Sequence, residues 1–209
     1  MRRWITSLRL AALLLPAALL LSVASTCRAE AARFAIAPGE GRSLVRFDSK
    51  APLESFSGTT HQARGEILLD PAVTGDSITV LVEVELAGLD TGMKLRNQHM
   101  RENHLHTDRF PLAVFRGARI VGDHPGRLAP GETWLSEIEG RLTLHGVERN
   151  VRVPVSVTYE VSGDQERLGI ECRFAILLSD YGIPRPQFLA LKVGDEQKIT
   201  FRALAARTP

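Results

Sequence analysis

Three of the six histidines in this sequence, His99, His104 and His106, fall within one short segment. Histidine side chains bind transition metals and exchange protons near neutral pH, so their spacing decides which chemistry is open to them. On a helix that continued to His106, the side chains of His99, Glu102 and His106 would share one face, and two imidazoles with one carboxylate are typical zinc ligands. However, the compact His-x-x-x-His pairing is absent, and Thr107-Asp108 is expected to end the helix before His106 is aligned. The spacing therefore favours a structural segment over a metal site.

The structural interpretation rests on hydrogen-bond donors in the same segment. Arg96, Arg101 and His99 are expected to bond loop carbonyls and carboxylates, which would fix the segment against the strand that begins at Phe110-Pro111. His145 precedes a glycine at the end of another predicted strand. A hydrogen bond within that turn is favoured for His145 over the role of a general base.

One helix is predicted from residue 93 to residue 103. Asp90 or Thr91 can cap its start, a glycine permits the turn before it, and no proline interrupts it. Its apolar surface is thin, so the helix is expected to lie across a barrel mouth or an outer wall, mostly in water. Met93 and Met100 could form an adaptable gate at that mouth, although ordinary packing is the simpler role.

Alternation of apolar and polar residues dominates the rest of the chain. It is clearest in residues 78–86, 134–144, 151–159 and 168–176, and it is weaker in residues 44–49, 62–69, 112–121 and 198–203. Such strands bury one face and expose the other. The sequence therefore predicts an all-β fold, as one antiparallel barrel of about eight strands or as a sandwich.

Small residues at predicted inward positions bear on whether such a barrel is hollow. Ala63, Gly65, Ala113 and Gly140 would leave room inside, and an eight-stranded barrel is wide enough for one small ligand. Facing large side chains could equally fill that space. If a cavity exists, its predicted apolar lining is Phe47, Val82, Val84, Phe115, Leu142, Leu144, Val153, Val155, Phe174 and Ile176.

Sequence motifs for catalysis are missing from the chain. There is no Gly-x-Ser-x-Gly elbow, no His-Glu-x-x-His, no phosphate-binding loop and no Cys-x-x-Cys-His haem site. Cys172 alternates inward with apolar neighbours, so it is predicted to be a buried hydrophobic residue rather than a nucleophile. The protein is therefore not expected to be an enzyme or to carry a catalytic cofactor or a metal.

The N-terminus has the layout of a secretory signal. Basic residues precede an apolar run from Leu8 to Val23, and small residues follow it. We expect a signal peptide over residues 1–29, with an uncleaved anchor as the alternative, and one domain over residues 30–209. Removal of 4 arginines would leave 22 basic and 24 acidic residues, so the product has a net charge near −2 and nothing indicates a nucleic-acid partner.

Three motifs resemble those of the YceI-like family. The first runs from Leu89-Asp90-Thr91-Gly92 through Arg96-Asn97-Gln98-His99-Met100-Arg101 to Phe110-Pro111 and Phe115. The second is residues 141–147, Arg-Leu-Thr-Leu-His-Gly-Val, and the third is residues 179–183, Ser-Asp-Tyr-Gly-Ile. Their order and spacing agree from about residue 34 to residue 204. Asn97, where the family usually has aspartate, and the segment from residue 51 to residue 60 depart from the family pattern.

The resemblance implies an elongated, lipocalin-like barrel in the bacterial periplasm. Members of the family bind polyisoprenoid lipids or isoprenoid quinones in a long apolar tunnel and share no common catalytic activity. The expected partner is therefore an isoprenoid lipid, with no stable membrane insertion after signal cleavage, and a homodimer is left open. The alternative is a periplasmic protein-interaction or stress-response module without bound lipid; a hydrolase or a metal-binding protein is less favoured.

Overall fold

A computed structural model describes residues 31–50, 55–72, 74–75, 77–188 and 191–208. The predicted signal peptide and its cleavage site lie outside the described residues, as do residues 51–54 of the segment that departs from the family pattern. No helix in the described ranges is long and apolar enough to cross a lipid bilayer.

Strands make up most of the described chain, and they follow the period-2 pattern of the sequence. Their bounds are β1 Ala32–Ile36, β2 Ser43–Ser49, β3 Phe56–Thr60, β4 Ala63–Leu69, β5 Ser77–Glu85, β6 Leu112–Val121, β7 Thr133–Leu144, β8 Val147–Ser162, β9 Gln165–Leu177, β10 Gln187–Phe188, β11 Leu191–Lys192 and β12 Glu196–Thr208. In β8, Val153, Val155 and Val157 are buried, whereas Arg152 and Pro154 between them are exposed.

Ten of these strands close into one antiparallel barrel with eight strand positions, whereas β10 and β11 pair with each other in a separate two-stranded sheet. β12 pairs with β9 on one side and with both β1 and β2 on the other, so β1 and β2 together occupy one strand position of the barrel. Likewise, β4 pairs with β1 and β3 pairs with β2, so β3 and β4 together occupy the next strand position. The predicted all-β barrel is confirmed. It is long, because the 16 residues of β8 span about 50 Å at roughly 3.3 Å per residue.

The predicted helix is present at one end of the barrel. α1, Lys94–His99, continues as a π-helical turn, Met100–Leu105, and His106 follows in a left-handed conformation. The short 3₁₀ turns Leu86–Gly88 and Ser179–Tyr181 lie at the same end. We call this the helical end; β5, β7 and β9 end there, and β6, β8 and β12 begin there.

The interior has two packed clusters. One, around Phe34, Leu168 and Ala205, lies away from the helical end and contains the least exposed side chains of the barrel. The other joins Leu89, Tyr181 and neighbouring residues at the helical end. Between and along these clusters the wall encloses a cavity.

Candidate ligand-binding cavity

A cavity of about 830 Å³ lies within the barrel. Its volume is within the range of small-molecule sites, roughly 300–1,000 Å³. The wall is almost entirely apolar, and its polar or charged side chains among the described residues are Ser49, Arg96, His99, His104 and Gln197. All of these belong to the helical end.

The ten side chains predicted to face inward all lie on the cavity wall. Four of them, Leu142, Leu144, Val153 and Val155, are buried. The other six, from Phe47 to Ile176, are only partly buried although they point away from the outer surface. Their accessible area faces the cavity, so the interior presents apolar surface that a ligand could cover. Contact of these residues with a ligand stays a prediction.

The predicted source of the interior space is wrong for the two glycines. A Cβ atom on Gly65 would lie 2.0 Å from the Leu81 carbonyl oxygen, and one on Gly140 would lie 2.3 Å from the Arg116 carbonyl oxygen. These glycines therefore allow neighbouring strands to approach closely instead of making room inside. Of the two alanines, Ala113 lies on the cavity wall, and Ala63 is packed in the core.

The cavity opens beside α1. Met93, Leu95 and His99 are the only exposed residues on the wall within the described chain, and the first two are 55% and 62% exposed. Met100 lies on the same wall and is partly buried. At the opposite end, wall residues such as Leu69 and Trp134 are buried. The mouth is therefore at the helical end, and a gating role for the methionines stays a prediction.

Arg96 and Asn97 fix the helix to the segment before it. Arg96 Nε donates to Thr91 Oγ1 (2.8 Å) and Arg96 Nη2 donates to the Thr91 carbonyl (2.7 Å), while the guanidinium carbon lies 4.6 Å from the centre of the Phe56 ring. Asn97 Oδ1 accepts from the Thr91 amide (2.9 Å), and Asn97 Nδ2 donates to Asp90 Oδ1 (2.7 Å). The Asn97 amide, with the Gly92 N–H, holds the pKa of Asp90 below its ordinary value.

His99 does not share this work, in contrast to the prediction. It is exposed at the mouth, and its ring makes no hydrogen bond with any residue that the structure describes. The zinc-like set of His99, Glu102 and His106 is not brought together, since His106 lies beyond the helix and bonds His145. The described residues contain no group of three or more histidine, cysteine or acidic side chains that could hold a metal ion.

Three histidines join the segments that carry the three sequence motifs. His104 Nδ1 lies 2.8 Å from the Pro184 carbonyl oxygen, His106 Nδ1 lies 2.8 Å from His145 Nε2, and His145 Nδ1 lies 3.1 Å from the Tyr181 carbonyl oxygen. We call His104, His106, His145 and these two carbonyls the histidine latch. Burial, and to a lesser extent the neighbouring His106 and His99, lower the pKa of His104.

Proton positions in the latch follow from the carbonyls, which can only accept. His104 and His145 therefore carry a hydrogen on Nδ1. In neutral His145 the Nε2 atom is then an acceptor, and His106 Nδ1–H donates to it. The predicted hydrogen bond within the His145 turn was wrong, because the ring of His145 bonds His106 and the Tyr181 carbonyl, which are 39 and 36 residues away along the chain.

Comparisons with known proteins agree with this architecture. A family model, the YceI-like domain, matches residues 37–205. Among solved structures, BcnA of Burkholderia cenocepacia is 22% identical with a TM-score of 0.60, covering 78% of this chain and 95% of its own. A polyisoprenoid binding domain from Saccharophagus degradans is 18% identical with a TM-score of 0.62, covering 86% and 100%. A search of curated proteins gives no match.

Proposed function

This chain belongs to the YceI-like family, and from that premise we propose that it is an exported protein that encloses a polyisoprenoid lipid or isoprenoid quinone in its barrel. The role is binding, storage or transport, without catalysis. A structural relative is described as a polyisoprenoid binding domain, which is consistent with this class of ligand.

The observation that carries the proposal is the apolar wall of the long cavity. A polyisoprenoid tail is a chain of branched hydrocarbon units, and each square ångström of it in water costs roughly 25 cal/mol. Half-buried side chains such as Phe47, Phe115 and Phe174 line the cavity and offer apolar surface for such a tail. Enclosure in the barrel would remove both surfaces from water, which favours binding of an extended hydrocarbon over a compact polar ligand.

Export to the periplasm is part of the proposal and rests on the sequence of residues 1–29. Its basic start, short apolar run and small-residue end are typical of a secretory signal. In the aqueous compartment between two membranes, a protein that encloses the lipid tail would remove the free-energy cost of exposing that tail to water.

A non-catalytic role is supported by the chemistry of the wall. Cys172 is the one thiol among the described residues, and burial raises its pKa to about 12, which keeps it protonated at neutral pH. A protonated thiol is a poor nucleophile. The histidines of the latch bond to one another and to carbonyls, so they serve to hold segments together.

The experiment is native mass spectrometry of the protein purified from its own periplasm without detergent. Bound material is then extracted into organic solvent and identified. One isoprenoid species at close to one per chain would support the proposal and name the ligand. A measured mass equal to that of the polypeptide alone, after gentle purification, would contradict the proposal and would favour the protein-interaction module.

A further inference from the structure

One buried hydroxyl on the cavity wall is left without a partner. Among the described residues, Ser49 Oγ and Thr74 Oγ1 are the buried side-chain oxygen atoms that make no hydrogen bond, and only Ser49 lies on the cavity wall. Ser49 is 2% exposed. Burial of a hydroxyl without a hydrogen bond is unfavourable, and native proteins rarely leave such a group unpaired.

A second buried polar group lies beside it. Gln197 on β12 is the direct cross-strand partner of Ser49 on β2, it is 5% exposed, and it also lies on the wall. Its Nε2 donates to the Gly194 carbonyl oxygen at 2.8 Å, which fixes the orientation of the amide. The Oε1 atom is therefore turned away from Gly194 and remains an acceptor.

Apolar side chains surround this pair. Ile176 pairs with Gln197 across β9 and β12, Phe56 pairs with Ser49 across β2 and β3, and Phe47 precedes Ser49 on the same face. A charged ligand group beside Ser49 and Gln197 would move from water into apolar surroundings. This transfer is unfavourable unless a group of opposite charge pairs with the ligand. Arg96 is the one arginine or lysine that the described residues place on the cavity wall, and it already donates to Thr91 and stacks on Phe56. The site therefore selects an uncharged group.

The two polar atoms define which uncharged group fits. Ser49 Oγ can donate and accept, whereas Gln197 Oε1 can only accept. A ligand carbonyl would satisfy Ser49 alone, but a ligand hydroxyl can accept from Ser49 and donate to Gln197. Rotation about the Ser49 Cα–Cβ bond among its staggered positions can turn Oγ toward such a group.

We propose that Ser49 and Gln197 bind the hydroxyl head group of an isoprenoid alcohol or quinol, with the hydrocarbon tail extending toward the closed end of the barrel. This inference rests on the proposed function and specifies its ligand class. Because the pair lies near the mouth, the head group would enter the barrel last.

A competition experiment tests this assignment. Delipidated protein is equilibrated with equimolar polyprenol and the hydrocarbon that lacks its hydroxyl, and the bound ratio is measured after extraction. We expect a five- to tenfold preference for the alcohol, which corresponds to about the net free energy of one hydrogen bond. Ser49→Ala and Gln197→Leu should each bring the ratio close to one while the hydrocarbon is still bound.

Ser43→Ala is the matched control. Ser43 is a 3% exposed serine on the same strand, but it is not on the cavity wall, and its hydroxyl donates to the His61 carbonyl oxygen. The Ser43→Ala protein should keep the preference for the alcohol. Circular dichroism of all variants establishes that they are folded.

Binding measurements with other probes distinguish which ligand supplies the hydroxyl and whether the assignment holds. Selective binding of an isoprenoid quinol over its oxidised quinone, lost in Ser49→Ala, would identify the quinol as the source of the hydroxyl; preference for polyprenol alone would identify the alcohol. Equal binding of alcohol and hydrocarbon, tighter binding of polyprenyl phosphate, or a preference that survives both substitutions would overturn the assignment and leave the carrier proposal standing. No binding of any probe would contradict both.

Discussion

His106 Nδ1 lies 2.8 Å from His145 Nε2, and the two rings stack with their centres 5.1 Å apart. Both residues have left-handed backbones, with φ of 45° and 52°. Non-glycine residues rarely adopt this conformation, and it persists only where the surroundings hold it in place. The latch provides such surroundings, because it connects the end of the helix, the β7–β8 turn and the segment after β9.

We predict that His145→Ala destabilises the protein. The change removes the bonds to His106 and to the Tyr181 carbonyl while the left-handed backbone strain remains. The expected loss is about 1–3 kcal/mol in the free energy of unfolding, measured by denaturant titration. His99→Ala is the control, since His99 is exposed, and its effect should stay within about 0.5 kcal/mol. Equal losses in the two variants would contradict a holding role for the latch.

Local sequence pattern was sufficient to predict the eight longer strands and their inward faces, but it did not predict the short strands β1, β3, β10 and β11. In β7 to β9 the alternation of Leu142, Val153, Phe174 and their neighbours is strict, and a shift of one residue would have turned each strand inside out. The helix near residues 93–103 was also predictable from its stretch of good helix formers. The predicted cap by Asp90 or Thr91 was wrong, because the helix begins at Lys94 after Met93 and has no capping side-chain bond.

Contacts between distant segments were not predictable. His106 and His145 are 39 residues apart, and the motif resemblance does not say which nitrogen atoms meet. The role of Gly65 depends on the register of β4 and β5, where the Leu81 carbonyl comes close. The pairing of Ser49 with Gln197 depends on the closure of the barrel between the second and the last strands.

Filling the cavity should block the ligand. Val82 lies on the cavity wall, and the neighbouring Leu81 on the same strand does not. Val82→Trp would place an indole ring in the space proposed for the tail, so we expect the affinity for a polyprenol to fall at least tenfold, which corresponds to about 1.4 kcal/mol.

The control for this prediction is Leu81→Trp, which adds the same ring on the other face of β5. Its affinity should stay close to that of the natural protein in the same extraction assay. If both variants keep full affinity while remaining folded by circular dichroism, the ligand does not occupy this part of the barrel.

Asn97→Asp should lower stability at neutral pH. The new carboxylate would lose the Nδ2 bond to Asp90 and would repel it, so we expect a fall in Tm of several degrees. The difference should shrink as the pH falls toward 3, because protonation of one carboxyl removes the repulsion. Asn103→Asp, on an exposed position of the same helix, is the charge-matched control and should change Tm little.

In the natural protein the same contacts determine how stability changes as the pH falls. Asn97 and the Gly92 N–H hold the pKa of Asp90 below its ordinary value, so the stabilisation is present above about pH 4 and is lost as the pH falls further. In Asn97→Ala this acid loss should be smaller. An unchanged acid profile in thermal melts would show that Asp90 does not contribute.

Alkaline pH should destabilise the barrel through Cys172. Burial raises the pKa of this thiol from 9.0 to about 12, so between these values the unfolded chain releases a proton that the folded chain retains. Stability is therefore fully present below about pH 9 and falls as the pH rises toward 12. Cys172→Ala should show a smaller loss of Tm over this range.

The buried thiol of Cys172 should also resist alkylation at pH 8 until the protein unfolds. As the control, Arg173→Cys in the Cys172→Ala background places a thiol at an exposed position, and this thiol should react in the folded state. Rapid alkylation of Cys172 in the folded protein would mean that the wall opens to solvent, and the cavity would then be a poor enclosure for a hydrocarbon tail.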